Sequence, residues 1–198
     1  MNTLHGLLKW RGSFNPIPFQ KKKKKIKKIK KTLDKSPVLY YNKDNKREEN
    51  KEMTRTIFFD MDGTIADLYG VDGWLADLIN KNVRPYKEAK ALINLQALAR
   101  VLNRLQRQGY RVEVISWLAK NSTTDYDERV TETKKAWLAK HLKSVKFDAI
   151  NIVEYGTAKQ TFIHTETDIL FDDEEQNRNN WTGEAHNVNN IIDTLKSL

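Results

Sequence analysis

The chain has 198 residues, a formal net charge of +9, 39% hydrophobic and 31% charged residues, and no cysteine. That length suits one domain, or one domain plus a tail. The lack of cysteine excludes disulfides and thiolate metal sites, and no apolar run approaches the roughly 18 residues of a membrane span, so no membrane partner is expected.

Charge divides the chain. Residues 1–52 carry 16 Lys/Arg against 5 Asp/Glu, net +11, while residues 53–198 carry 19 against 21, net −2. In the first part, LHGLL breaks at Lys9, too soon for the apolar core of a secretory signal, which points to the cytoplasm. KKKKKIKKIKK, Lys21 to Lys31, has two isoleucines and nothing to bury. Such a block repels itself and is expected to be disordered. It reads either as an arm that binds nucleic acid through phosphates or as a solvated run without a partner, since no aromatic residues interleave with the lysines to stack bases. KREENKEM, Lys46 to Met53, implies purine-rich codons like those of a ribosome-binding site, which makes Met53 an alternative start and residues 1–52 an upstream extension.

From Thr54 the pattern alternates strand and helix. Ile57, Phe58 and Phe59 form a short apolar run, and Val112, Val114 and Ile115, then Ala149 to Val153, then Ile169 to Phe171 form three more predominantly apolar stretches. Runs without polar alternation predict strands covered on both faces. Leu92, Leu95, Leu98, Leu102 and Leu105 keep one helical face and stop at Gly109; Val130, Trp137, Leu138 and Leu142 mark a second helix, and Ile191, Ile192, Leu195 and Leu198 a last one. The order predicts an α/β fold with a doubly wound, mainly parallel Rossmann-like sheet, whose ligand sits beyond the carboxyl ends of the strands.

Two of those ends are acidic. Asp60 and Asp62 follow the first strand in IFFDMDGT, and Asp172 and Asp173 follow another in DILFDDEE. Like charges gathered at one sheet edge require a positive partner. Oxygen ligands without His or Cys suit a hard cation, most simply Mg²⁺, and a carboxylate beside it can attack phosphorus. A calcium loop does not fit, because placing Gly63 at its sixth position puts Phe58 and Tyr69 where oxygen ligands belong. His5, His141, His164 and His186 show no metal-ligand spacing, and Asp67 reads as fixing the turn after the first strand.

These motifs resemble the haloacid dehalogenase (HAD) superfamily of phosphohydrolases. Phe59-Asp60-Met61-Asp62-Gly63-Thr64 matches its first motif, Ser116 at the end of VEVISW the second, Lys159 in YGTAKQTFI the third, and Asp172-Asp173 the fourth. The resemblance covers about residues 54–198. It implies Asp60 as nucleophile and Asp62 as general acid and base. It also implies Ser116 and Lys159 as phosphate-binding residues, and a Mg²⁺ held by Asp60, the Asp62 carbonyl, Asp172 and Asp173. A small helical cap is expected at about 68–90, with Tyr69, Trp74 and Tyr86 in it and Trp117 beside Ser116, as aromatic candidates for stacking a base or for packing. The segment DILFDDEEQNRNNW, with a short Gly-containing strand and a terminal helix after it, looks like small 5′(3′)-deoxyribonucleotidase-like members of bacteria and phages. That resemblance implies a phosphomonoesterase for nucleoside 5′-monophosphates, located in a bacterial or phage-infected cytoplasm. Two other readings stay open: a polynucleotide end phosphatase that uses Lys21 to Lys31, and a catalytically idle binding or anti-host module on the same fold.

Overall fold

The computed structural model describes residues 54–198, so the basic tail with Lys21 to Lys31 and the Met53 start lie outside the described residues. Five strands form one parallel sheet: β1 (Thr56–Phe59), β4 (Arg111–Trp117), β5 (Ala149–Val153), β6 (Ile169–Phe171) and β7 (Glu184–His186), in the order β5-β4-β1-β6-β7. The chain builds outward from β1 to β4 and β5, then crosses to the other side for β6 and β7. This is a doubly wound α/β arrangement with its switch point at β1. Such a point leaves a crevice where successive connections diverge, and the acidic strand ends open into it.

The sheet is covered on both faces, as its predominantly apolar strands require. Ile57 and Phe59 of β1 pack with Val112, Val114, Ile169 and Phe171 beneath α3 (Leu95–Arg107), α4 (Thr124–His141) and α6 (Ile191–Ser197). Phe58 points the other way, joining Ile115, Leu170 and Trp181 under the 3₁₀ turn Lys159–Phe162. Each such buried side chain contributes about 1.5–3 kcal/mol relative to exposure.

Helix α3 differs from the sequence pattern at its start. Leu92 is exposed and outside it, because the Asn94 side chain accepts the Ala97 N–H at 3.0 Å and caps the helix there. Its other end follows the pattern, since Gly109 takes φ +97°, open to glycine at no steric cost. Between β1 and α3, a two-stranded antiparallel ribbon of β2 (Ala66–Asp67) and β3 (Lys90–Ala91) brackets two short helices, α1 (Trp74–Ile79) and α2 (Arg84–Glu88). Those helices occupy the stretch expected as a cap. Among the described residues, no helix is long and apolar enough to cross a membrane.

Candidate active site

Asp60 leaves β1 already tied to its neighbour, its N–H donating to the Phe171 carbonyl at 2.9 Å. The chain then folds back at once: the N–H groups of Ile65 and Ala66 both donate to the Met61 carbonyl. Gly63, at φ +78°, stands where any Cβ would run into the Asp173 carboxylate and the Tyr69 ring. The glycine after the acid pair is therefore what lets the β1 and β6 ends approach. Buried Thr64 seals that approach, with its Oγ1 accepting the Asp173 N–H at 3.2 Å and donating to Asp173 Oδ1 at 3.3 Å.

Two buried lysines divide the acids. Lys159 Nζ lies 2.7 Å from Asp60 Oδ1 and 2.7 Å from Asp172 Oδ2, with the Trp117 ring 4.9 Å away. Burial alone would lower its pKa, but the Asp60 and Asp172 charges outweigh this and hold it above the usual lysine value. Lys134, on α4, places Nζ 2.6 Å from Asp62 Oδ2, 3.0 Å from Ser116 Oγ and 2.6 Å from the Trp117 carbonyl. All six residues singled out in the sequence thus come to one edge of the sheet. Asp60, Ser116, Lys159 and Asp172 are buried, and Asp62 and Asp173 half-buried.

Lys134 carries no motif and was missed in the sequence. A signal existed, because it lies four residues from both Val130 and Leu138 on the helix's apolar stripe, and a lysine there needs a buried acceptor. Arg178 of α5 (Glu175–Asn180) was also missed; it donates to the Asp172 and Asp173 carbonyls at 2.8 and 2.6 Å and shapes the acidic turn.

Negative charge exceeds positive here. Carboxylate oxygens of Asp60, Asp172 and Asp173 lie within 4.8 Å of one another. Asp173 is pushed up to about 7 by burial, then by Asp60 and Asp172. Asp172 and Asp62 are also raised, burial being the first cause and Asp60 adding to it, although Lys159 and Lys134 pull the other way. Three crowded oxygen donors of this kind fit a hard divalent cation such as Mg²⁺.

Asp60, Asp62 and Asp173 open into a cavity of about 340 Å³. Its walls carry two aromatic pairs, Tyr69 with Trp74 at 5.1 Å between ring centres and Trp117 with Tyr155 at 5.3 Å. Leu68, Leu75, Leu78 and Tyr86 complete an apolar lining, and Lys120 is at the rim. Trp74 and Tyr86 therefore both pack and line the cavity. Trp137, by contrast, is core, donating its indole N–H to the Ala89 carbonyl at 2.8 Å. Asp67 holds its turn by accepting the Gly70 N–H at 2.9 Å.

No protein-family model and no curated protein matches the chain. Among solved structures it is similar to D,D-heptose 1,7-bisphosphate phosphatase from Burkholderia thailandensis, at 15% identity over 64% of this chain and 70% of that one, with a TM-score of 0.41. It is also similar to a chain of the Pnkp1/Rnl/Hen1 complex, at 16% identity over 78% of this chain and 57% of that one, TM-score 0.42. A heptose bisphosphate phosphatase from B. bronchiseptica complexed with magnesium and phosphate gives 14% identity, 67% and 78% coverage and a TM-score of 0.43. TM-scores in this range leave the fold and the chemistry to rest on the chain's own geometry.

Proposed function

We propose that the chain is a Mg²⁺-dependent phosphomonoesterase that works through an aspartyl phosphate on Asp60 and acts on nucleoside 5′-monophosphates. The observation that carries this reading is the meeting of two acid pairs, Ser116 and Lys159 at one sheet edge, at the foot of an aromatic-lined cavity.

Each residue has a role that its surroundings permit. Lys159 holds Asp60 Oδ1, and the other oxygen, with no hydrogen-bond partner among the described residues, is the one to attack phosphorus in line. As the bond to the ester oxygen breaks, Asp62 gives that oxygen its proton. Asp62 then takes a proton from the water that attacks the acyl phosphate, which frees phosphate and restores Asp60. Ser116 donates its hydroxyl to a phosphoryl oxygen, and Lys159, with one N–H beyond its two carboxylates, stabilises the same charge. A Mg²⁺ would be held by Asp60, Asp172, Asp173 and the Asp62 carbonyl, and would supply positive charge to offset that of the phosphoryl group. The two aromatic pairs suit a flat base, whose stacking contributes about 1–3 kcal/mol.

The test is phosphate release from nucleoside monophosphates, sugar phosphates and 3′-phosphorylated oligonucleotides, with Mg²⁺ or EDTA. Release from the monophosphates is expected, abolished by EDTA and reduced about 10⁴-fold or more by Asp60→Asn. Release from the oligonucleotides alone would favour the end-phosphatase reading, and release from none would overturn the enzyme.

A further inference from the structure

We infer that Lys134 is a positioning residue for the proton donor: it occupies Asp62 Oδ2 and so leaves Oδ1 as the one oxygen that carries the proton into the cavity. The inference rests on the phosphomonoesterase reading. Lys134 is fully buried, and an ammonium taken from water costs several kcal/mol unless its protons are all accepted. Here they are. The three N–H groups go to Asp62 Oδ2, Ser116 Oγ and the Trp117 carbonyl, all within 3.0 Å, and the Tyr86 ring lies beside them with its centre 5.0 Å from Nζ.

That saturation separates the two lysines. Lys159 spends two donors on carboxylates and keeps one for a phosphoryl oxygen; Lys134 has none left, so it acts through Asp62 and Ser116. Asp62 Oδ1 has no hydrogen-bond partner among the described residues, and Asp62 lines the cavity. Without Lys134 the carboxyl is free to rotate and present either oxygen. Because the Ser116 oxygen accepts from Lys134, its hydroxyl proton is directed away from the ammonium.

A proton donor matters for a basic leaving group and little for an acidic phenol, which departs as its anion. The test measures kcat/KM with Mg²⁺ for an alkyl phosphate and for p-nitrophenyl phosphate, in the full-length wild type and in Lys134→Met. Lys134→Met is expected to lose about 100-fold on the alkyl ester. Loss of the Ser116 contact affects both esters alike, so the ratio isolates Asp62, and the alkyl ester should lose about 30-fold more than the phenyl ester. In an Asp62→Asn background, adding Lys134→Met should change the alkyl rate by no more than about threefold, because the two residues act as a unit. That double variant also removes both charges of the pair, which guards against a single variant that fails to fold. Lys134→Gln, which keeps a donor for Asp62, should recover part of the alkyl rate. Equal losses on the two esters, or full additivity with Asp62→Asn, would overturn the positioning role while leaving the phosphatase reading intact. A wild type inert on both esters would overturn both.

Discussion

The two ends of the sheet treat buried carboxylates in opposite ways. At the end where the strands begin, Asp168 is fully buried and accepts four hydrogen bonds, from the N–H groups of Thr56, His164 and Thr165 and from the Thr165 hydroxyl, at 2.8–3.0 Å. Glu113 there, also buried, pairs with Arg111 at 2.8 Å and His164 at 3.0 Å, and the exposed Glu184 pairs with Arg55 and His186. At the end where the strands finish, three acids share two lysines, Lys159 pairing with Asp60 and Asp172 and Lys134 with Asp62, and Asp60 and Asp62 each keep an oxygen without a partner among the described residues. Burial does not separate a structural acid from a chemical one. What separates Asp168 from Asp60 and Asp62 is whether the lone pairs are taken; Asp172, with both oxygens bonded to Lys159, Asn177 and the Glu174 N–H, stands between them.

Asp168→Ala should give the largest effect on stability. It leaves three backbone N–H groups unpaired, which costs about 3 kcal/mol or more and lowers the thermal midpoint by about 6–12 °C, while the folded fraction keeps the wild-type kcat in the proposed phosphate-release assay. A midpoint within a degree of wild type would break the contrast.

Asp173→Asn should act in the opposite direction when no metal is present. A carboxyl raised to about 7 in the fold destabilises it increasingly as pH rises from the ordinary aspartate range through about 7. The variant in EDTA should therefore melt higher than wild type, and by more at pH 8 than at pH 5. Mg²⁺ at a hundred times its Kd should stabilise wild type by about 2.7 kcal/mol, and the variant should lose most of that gain. A variant that melts lower in EDTA, or that responds fully to Mg²⁺, would place the cation elsewhere.

Glu184→Gln should have the smallest effect. Burial raises the Glu184 carboxyl, but hydrogen bonds from His186 and Arg55 outweigh this and hold it below the usual glutamate value. Its contribution is therefore present above that range and lost as pH falls through it. The variant should melt about 1–2 °C below wild type at pH 7, and the gap should narrow as pH falls below the ordinary glutamate range. A gap that persists in acid would mean packing, not charge.

Local order determined what was legible in the sequence. Predominantly apolar stretches of three to five residues marked four of the five sheet strands, because burial on both faces leaves little polar alternation. DMDGT and FDDEE marked the two acidic strand ends, since adjacent acids and a glycine are visible within a few residues. The short strand β7, with no apolar run, and the start of α3, where a cap overrides periodicity, were less legible. Tertiary structure alone decided how the charges are shared. Lys134 and Asp62 lie 72 residues apart, and Lys159 and Asp60 lie 99 apart. No local pattern reports a contact at that range; the crossing of the chain at β1 brings α4 and the Lys159 turn to opposite sides of one strand end, and that geometry assigns each lysine its acid.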